Sequence, residues 1–322
     1  MRRRGTLLGV LALGCAVLLG FVVTSAQPAT AEVRLPLTNR LPLTNSFPVG
    51  FTTGFLLGSQ PPAGANDWSC KPPARHPRPV VLVHGTFENM NDNWGAAAPL
   101  LVDNGYCVFA LNYGGSSPYA PGQGTGPIAD SAAQLATFID RVLAATGAST
   151  VDIVGHSQGG MMPRYYIKHL GGARKISKLV ALNPSNHGTT IAGLTELGRR
   201  IGTLDPTNSL LGIPCQSCVE QEVGSPFITA LNSGGETVPG ISYTVITTKA
   251  DEVVTPYSSA FLAPAANVTN LTVQDQCRLS NPDHLGTPYD PVALTDVLNA
   301  LDPAHPGPVP CRLSILPIAG LL

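Results

Sequence analysis

Hydrophobic positions along this chain fall into two alternating patterns. The first is the short continuous run of apolar or β-branched residues, at Pro79–Val83, Tyr106–Leu111, Val151–Val154, Leu179–Leu182, Tyr243–Thr248 and Val268–Val273. Such runs predict buried strands. The second recurs every three or four residues, at Trp94–Asn104, Asp130–Thr146, Met161–Leu170 and Pro291–Leu301, and predicts helices. The clearest helix repeats Ala133, Leu135, Phe138, Ile139, Val142 and Leu143 and stops at Gly147. Strands alternating with helices predict a mostly parallel sheet of about six strands, covered on both faces, in one domain. Residues 185–240 break the alternation. There Ile191, Leu194, Leu197 and Ile201 keep helical spacing, and Phe227, Ile228 and Leu231 suggest a further short helix. An insertion at this point of an α/β sheet is expected over the C-terminal strand ends, where ligands bind. It therefore reads as a cover or wall of a site, with plain packing as the alternative.

The N-terminal part has its own pattern. Arg2-Arg3-Arg4 precedes an uncharged apolar run from Leu7 to Val23, and Ala29-Thr30-Ala31 supplies a small-residue cleavage motif. The run falls short of the roughly 20 residues of a spanning helix. Residues 1–31 are thus expected to be a cleaved secretory signal, with an uncleaved anchor as the alternative. A lipoprotein attachment at Cys15 fits less well, because Ala12-Leu13-Gly14 departs from that pattern. Residues 32–69 read as an extended leader outside the sheet. Arg34-Leu35-Pro36-Leu37-Thr38-Asn39 repeats at once as Arg40-Leu41-Pro42-Leu43-Thr44-Asn45, and prolines so spaced deny a ladder its donors. The main domain is then expected over residues 70–322.

Composition narrows the classes. The 322 residues are 43% hydrophobic and 12% charged, with a formal net charge of −1. That balance offers no electrostatic case for nucleic acid or for an anionic membrane surface. Without the signal, six cysteines remain: Cys70, Cys107, Cys215, Cys218, Cys277 and Cys311. An even number in an exported chain suggests disulfides, whose connectivity the count leaves open. Cys215-Gln-Ser-Cys218 could be a redox pair or half a zinc site, but no second such motif and no paired histidines accompany it, so a small loop staple is expected. No metal site and no cofactor motif is legible, and scattered carboxylates that could hold a structural calcium carry no signature.

The chemistry centres on Val151-Asp152-Ile153-Val154-Gly155-His156-Ser157-Gln158-Gly159-Gly160. A strand running into Gly-x-Ser-x-Gly and then a helix is the context of a nucleophile elbow, in which the flanking glycines let strand and helix approach. Ser157 is the expected nucleophile. A hydroxyl needs a base to take its proton and a carboxylate to orient that base, in the chain order Ser, Asp or Glu, His. Asp251, just past the Tyr243–Thr248 strand, is the best acid. Glu252 is the neighbour most easily confused with it, and Asp205, Asp275 and Asp283 fit less well. His284, after the last strand and before the closing helix, is the best base. His187 is second but precedes the acid. His156 is too near Ser157 to turn back on it, and His76, His169 and His305 are poorly placed. Oxyanion donors are expected from the backbone of Gln158 and from the loop at His84-Gly85-Thr86. Thr86 is favoured over Phe87 there, and its hydroxyl could add a donor.

Pro79–Thr86, Val151–Gly160, Tyr165-Tyr166-Ile167-Lys168, Lys249-Ala250-Asp251 and Asp283-His284 together resemble the secreted bacterial lipases of the α/β-hydrolase superfamily. Gly85-Thr86, Ser157-Gln158-Gly159-Gly160 and Asp251-Glu252 are also similar to the yeast lipase B type. The resemblance covers most of Cys70–Leu301. It implies an α/β-hydrolase fold, carboxyl-ester hydrolysis, a triad of Ser157, Asp251 and His284, and oxyanion donors Thr86 and Gln158; the lid-like insertion at 185–240, with its extra cysteines, is where the chain departs from the family's pattern. It further implies pairing Cys70 with Cys107, Cys277 with Cys311 and Cys215 with Cys218. The expected partner is a lipid or other ester, with a lipid–water interface and without nucleic acid or a stable membrane span. A polyester or cutin hydrolase, or an acyltransferase of the cell envelope, would use the same residues. The rival of another class is a secreted binding protein on a hydrolase scaffold.

Overall fold

The computed structural model describes residues 47–190, 193 and 215–316. The signal (1–31), the first part of the leader (32–46), the candidate acid Asp205, and Ile191, Leu194, Leu197 and Ile201 of the insertion lie outside the described residues.

Six strands form one parallel sheet: β1 (Val80–Val83), β2 (Val108–Leu111), β3 (Val151–His156), β4 (Ile176–Leu182), β5 (Ser242–Thr247) and β6 (Val268–Thr272). Their order is β2-β1-β3-β4-β5-β6. Every residue of β1, β2 and β3 is buried, as expected for strands covered on both faces. Packed around the sheet are α1 (Phe47–Leu56), α2 (Ala97–Asp103), α3 (Ile128–Thr146) and α4 (Gln158–His169). Two short helices, α5 (Gln216–Glu220) and α6 (Pro226–Asn232), belong to the insertion, and α7 (Val273–Gln276) and α8 (Pro291–Leu301) close the fold. Gly147 ends α3 at φ 76°, with its N–H on the Leu143 carbonyl, a left-handed cap that favours glycine.

The sheet order reverses between β1 and β3, so the crevice beyond their C-terminal ends is where an open α/β sheet binds ligands. Register makes this end a common rim. Val83 pairs with Gly155, Gly155 with Ala181, and Leu182 with Ile246, so the residues that follow emerge side by side.

Three expectations change. The leader is not extended throughout: Phe47–Leu56 is helical and packs on the domain, with the Phe47 ring 5.1 Å from that of Tyr289. The recurring prolines belong to residues 34–45, which lie outside the described residues, and say nothing of this helix. Pro48 falls in the first helical turn, where a missing N–H costs nothing, and the next proline is Pro61. The Cys215–Cys218 bond is not in a loop but at the start of α5. Between β6 and His284 lie α7 and a strand, β7 (Ser280–Pro282), paired in parallel with β8 (Ser314–Leu316). The other two disulfides are Cys70–Cys107, joining the segment before β1 to the start of β2, and Cys277–Cys311, joining the end of α7 to the C-terminal tail.

Candidate active site

Ser157 sits between β3 and α4 at φ 55°, ψ −124°, a backbone conformation that costs a non-glycine residue of order 1–3 kcal/mol. What forces it is close packing. A Cβ on Gly155 would lie 1.9 Å from the Gly159 carbonyl oxygen, and one on Gly159 would lie 2.1 Å from that of Val83. Only glycine at both positions lets the helix start directly over the strand. The Ser157 N–H is held by the Leu182 carbonyl at 2.9 Å.

Thr86, in the loop after β1, stands beside Gln158 at the head of α4. Its Oγ1 donates to Gln158 Oε1 at 2.6 Å. Gln221, which follows α5, donates through Nε2 to Thr86 Oγ1 at 2.9 Å and to Gln158 Oε1 at 3.1 Å. The Thr86 hydroxyl proton is therefore engaged by the Gln158 side chain. Phe87 is removed as an alternative donor, because its N–H is bonded to the Gln123 carbonyl at 2.8 Å.

Past β5, the chain turns at Asp251, whose Oδ1 accepts the N–H groups of Val253 and Val254 at 2.9 and 2.8 Å. His284 Nδ1 lies 2.9 and 3.0 Å from the two carboxylate oxygens. Those oxygens only accept, so Nδ1 carries a hydrogen and the neutral ring keeps its lone pair on Nε2. Nε2 is buried and has no hydrogen-bond partner among the described residues, Ser157 Oγ included. Burial disfavours the charged ring, but the Asp251 carboxylate outweighs it, with Glu252 and Glu88 adding, and the imidazole is held up at about 9. Glu252 binds the His284 backbone instead of the ring, through the N–H at 3.2 Å.

The other candidates have different partners. Asp283 accepts the Gly286 N–H in a turn, and Asp275 pairs with Lys249. His187 bridges the Ser259 carbonyl and Glu236, at 2.8 and 2.7 Å. His305 pairs with Asp302, His169 lies against Tyr165, and His76 stacks on Tyr106. His84 stacks on Tyr113, and burial pushes it down to about 4, so it is neutral.

Several buried residues near these groups were not singled out in the sequence. Glu88, Asn89, Asp92 and Asn93 occupy the polar stretch after Phe87, where Asp92 accepts from the Asn89 N–H and side-chain amide. Burial, with Glu88 adding, pushes the Asp92 carboxyl well above the usual range. A run of buried-type polar residues directly after a core strand was the available signal. Asn183 and Gln221 had none, since their partners are distant in the chain. Among the described residues, no group of three or more His, Cys, Asp and Glu is placed to hold a metal ion.

Residues 77–284, more than half of the chain and reaching from the lead-in to β1 through His284, match the family model described as lipase (class 2). The chain is 34% identical over 123 residues to a triacylglycerol lipase of Burkholderia plantarii, covering 37% of this chain and 32% of that one. It is 38% identical over 92 residues to a triacylglycerol lipase of Pseudarthrobacter phenanthrenivorans, 27% of each. These matches thus span about a third or less of the relatives' length. Among solved structures, lipase B of Aspergillus fumigatus superposes with a TM-score of 0.61 over 81% of this chain and 61% of its own, at 23% identity. That likeness shows the α/β-hydrolase fold. With the family model spanning the elbow and the segments bearing Asp251 and His284, the chain belongs to the class 2 lipases.

Proposed function

We propose that this protein is an exported serine carboxylic-ester hydrolase that cleaves acylglycerols or related lipid esters through Ser157, Asp251 and His284. The observation that carries the reading is the Asp251–His284 contact on the same sheet rim as the strained Ser157. His284 Nε2 takes the Ser157 proton as Oγ attacks the ester carbonyl carbon. The backbone N–H groups of Thr86 and Gln158 receive the developing oxyanion. His284 then returns the proton to the departing alkoxide, leaving an acyl-enzyme. Water repeats the sequence through the same base and releases the acid.

The rim supports a water-insoluble substrate. Residues 47–66 and 104–129, which include α1 and the loop after β2, contain no charged side chain. Leu56 and Tyr119 within them are 79% and 81% exposed, with Val49 and Leu57 beside Leu56 also exposed. A neutral apolar border fits an uncharged lipid surface. Export is supported by the three disulfides, which persist in oxidising compartments. Among the described residues no helix is long and apolar enough to cross a membrane.

The test is hydrolysis of p-nitrophenyl esters of increasing chain length by the wild type and Ser157→Ala. Loss of activity in the variant is expected at every chain length, and equal rates would refute the assignment. A triglyceride profile above and below its solubility limit then separates lipase from short-chain esterase.

A further inference from the structure

Glu88 and His156 lie beside the Asp251–His284 pair and take no part in the steps above. Both are buried completely. Glu88 Oε2 is 2.9 Å from His156 Nδ1, and His156 Nε2 is 3.0 Å from the His284 carbonyl oxygen. A carbonyl only accepts, so His156 Nε2 carries a hydrogen and donates.

The same two side chains join three separate segments. Glu88 Oε2 also accepts the Gly85 N–H at 3.1 Å, one residue before Thr86. His156 immediately precedes Ser157, and its ring lies 4.8 Å from that of His284. There is no slack between them: a Cβ on Gly85 would lie 2.1 Å from Glu88 Oε2 and 3.1 Å from Ser157 Cβ. Asn93 completes the arrangement, with its amide on both His156 Nδ1 and the Gly85 N–H. Asn183 gives the His284 carbonyl a second, longer bond at 3.3 Å.

We infer that Glu88 and His156 are positioning residues that hold the backbone of His284 at a fixed distance from Ser157 and from the Thr86 loop. The inference rests on the reading of His284 as the base. Neither residue touches substrate; both act through His284. The pair replaces a flexible loop attachment with a donor aimed at the one carbonyl whose displacement moves the base. Besides each other, the titratable groups acting on this cluster are Asp92, His84, Tyr113 and Tyr289 around Glu88, and Asp251 and Glu252 around His284.

The test uses kcat and KM for a soluble ester across pH in His156→Leu, His156→Gln and Glu88→Gln, each with its thermal midpoint. His156→Leu is expected to lower kcat about 10- to 100-fold, the scale of a small misplacement of reacting groups, with KM within about twofold. His156→Gln keeps an N–H for the carbonyl and is expected to recover much of the loss. Glu88→Gln removes a charge that favours the imidazolium, so the acid limb of kcat/KM should move to lower pH. Equal losses in the Leu and Gln variants, a change in KM instead of kcat, or an unmoved limb in Glu88→Gln would overturn the inference. If His156→Leu does not fold, the nearly isosteric Glu88→Gln decides alone. An NMR titration of the His284 ring in wild type and Glu88→Gln reads the same shift without turnover. It therefore separates failure here from failure of the hydrolase reading, which inactive wild type or active Ser157→Ala would signal.

Discussion

The two ends of β3 both bury carboxylates, and they hold them by different means. At its start, Asp152 faces Arg78, whose Nε lies 3.0 Å from both carboxylate oxygens. Lys178 nearby donates to the carbonyls of Ala300 and Leu301, and Arg75 lies 3.7 Å from Asp302. Asp152, Arg78, Lys178, Leu301, Arg75 and Asp302 border a cavity of about 270 Å³. At the other end, Glu88, Asp92 and Asp251 have no lysine or arginine partner among the described residues. Imidazoles, amides and backbone N–H groups hold them instead. A guanidinium holds its proton throughout the useful pH range, so the Asp152 end is a fixed ion pair. An imidazole gives its proton up, so the Asp251 end can do acid–base work.

The sharpest break in this comparison comes from Ser157, the proposed nucleophile. Ser157→Ala should lower kcat/KM by about 10⁴-fold or more while leaving the unfolding midpoint near the wild-type value, read by ester hydrolysis and thermal denaturation. Asp251→Asn comes next, with an expected loss of about 10⁴-fold in kcat. Its pH profile adds a sign. In the wild type the ring of His284 is held up at about 9, and a protonated ring cannot accept the Ser157 proton. Activity should therefore rise with pH through the neutral range and level off above about 9. Losing the Asp251 charge removes what holds the His284 ring up, so if that ring is the base, the acid limb of the variant should move to lower pH even as its maximum falls. A limb that stays in place would show that Asp251 does not set the protonation of His284.

This rim was partly legible in the sequence because its key parts carry local signatures. The Gly155-x-Ser157-x-Gly159 spacing is dictated by contacts within a few residues, and Asp251 and His284 each follow a recognisable apolar run. Both apolar runs on either side of Ser157 became regular elements, β3 and β4. What stayed hidden depends on contacts between distant segments. In the sequence His156 reads only as too near Ser157 to turn back on it, and nothing local points to the His284 carbonyl 128 residues away. Gln221 reaches Thr86 only because α5 is folded over the loop at Gly124 and Thr125. The helix at Phe47–Leu56 is hidden for another reason: it directly follows a proline-spaced stretch but itself holds only Pro48, in its first turn.

The opposite end supplies the control. Arg78→Ala leaves Asp152 buried without its cation, and should cost about 1–3 kcal/mol, below a fully buried pair because Arg78 is 30% exposed. Urea unfolding measures it. The rate on a soluble ester should stay within about twofold, since Arg78 lies at the far end of the sheet from Ser157. A large loss of rate at unchanged stability would mean that the two ends are coupled, and the separation drawn above would fail.

The smallest effect on the folded protein tests what the rim is for. Leu56 and Leu57 are 79% and 51% exposed at the end of α1, in a stretch without charge. The chain just beyond them is tied to the rim by Asn112, whose side chain donates to the Gly58 carbonyl, and by Asn91, which reaches Leu57 and Gln60. Leu56→Ser with Leu57→Ser should change stability by no more than about 0.5 kcal/mol, as for other exposed positions. The same pair should leave the rate on a dissolved short-chain ester unchanged. Against an emulsified triglyceride, each buried leucine is worth about 1.5–3 kcal/mol when it leaves water, so losing both should weaken adsorption about a hundredfold or more. Equal changes on dissolved and emulsified ester would mean that the variant disturbs the catalytic residues. No change on either would mean that α1 faces water during catalysis and that the lipid surface is met elsewhere on the rim.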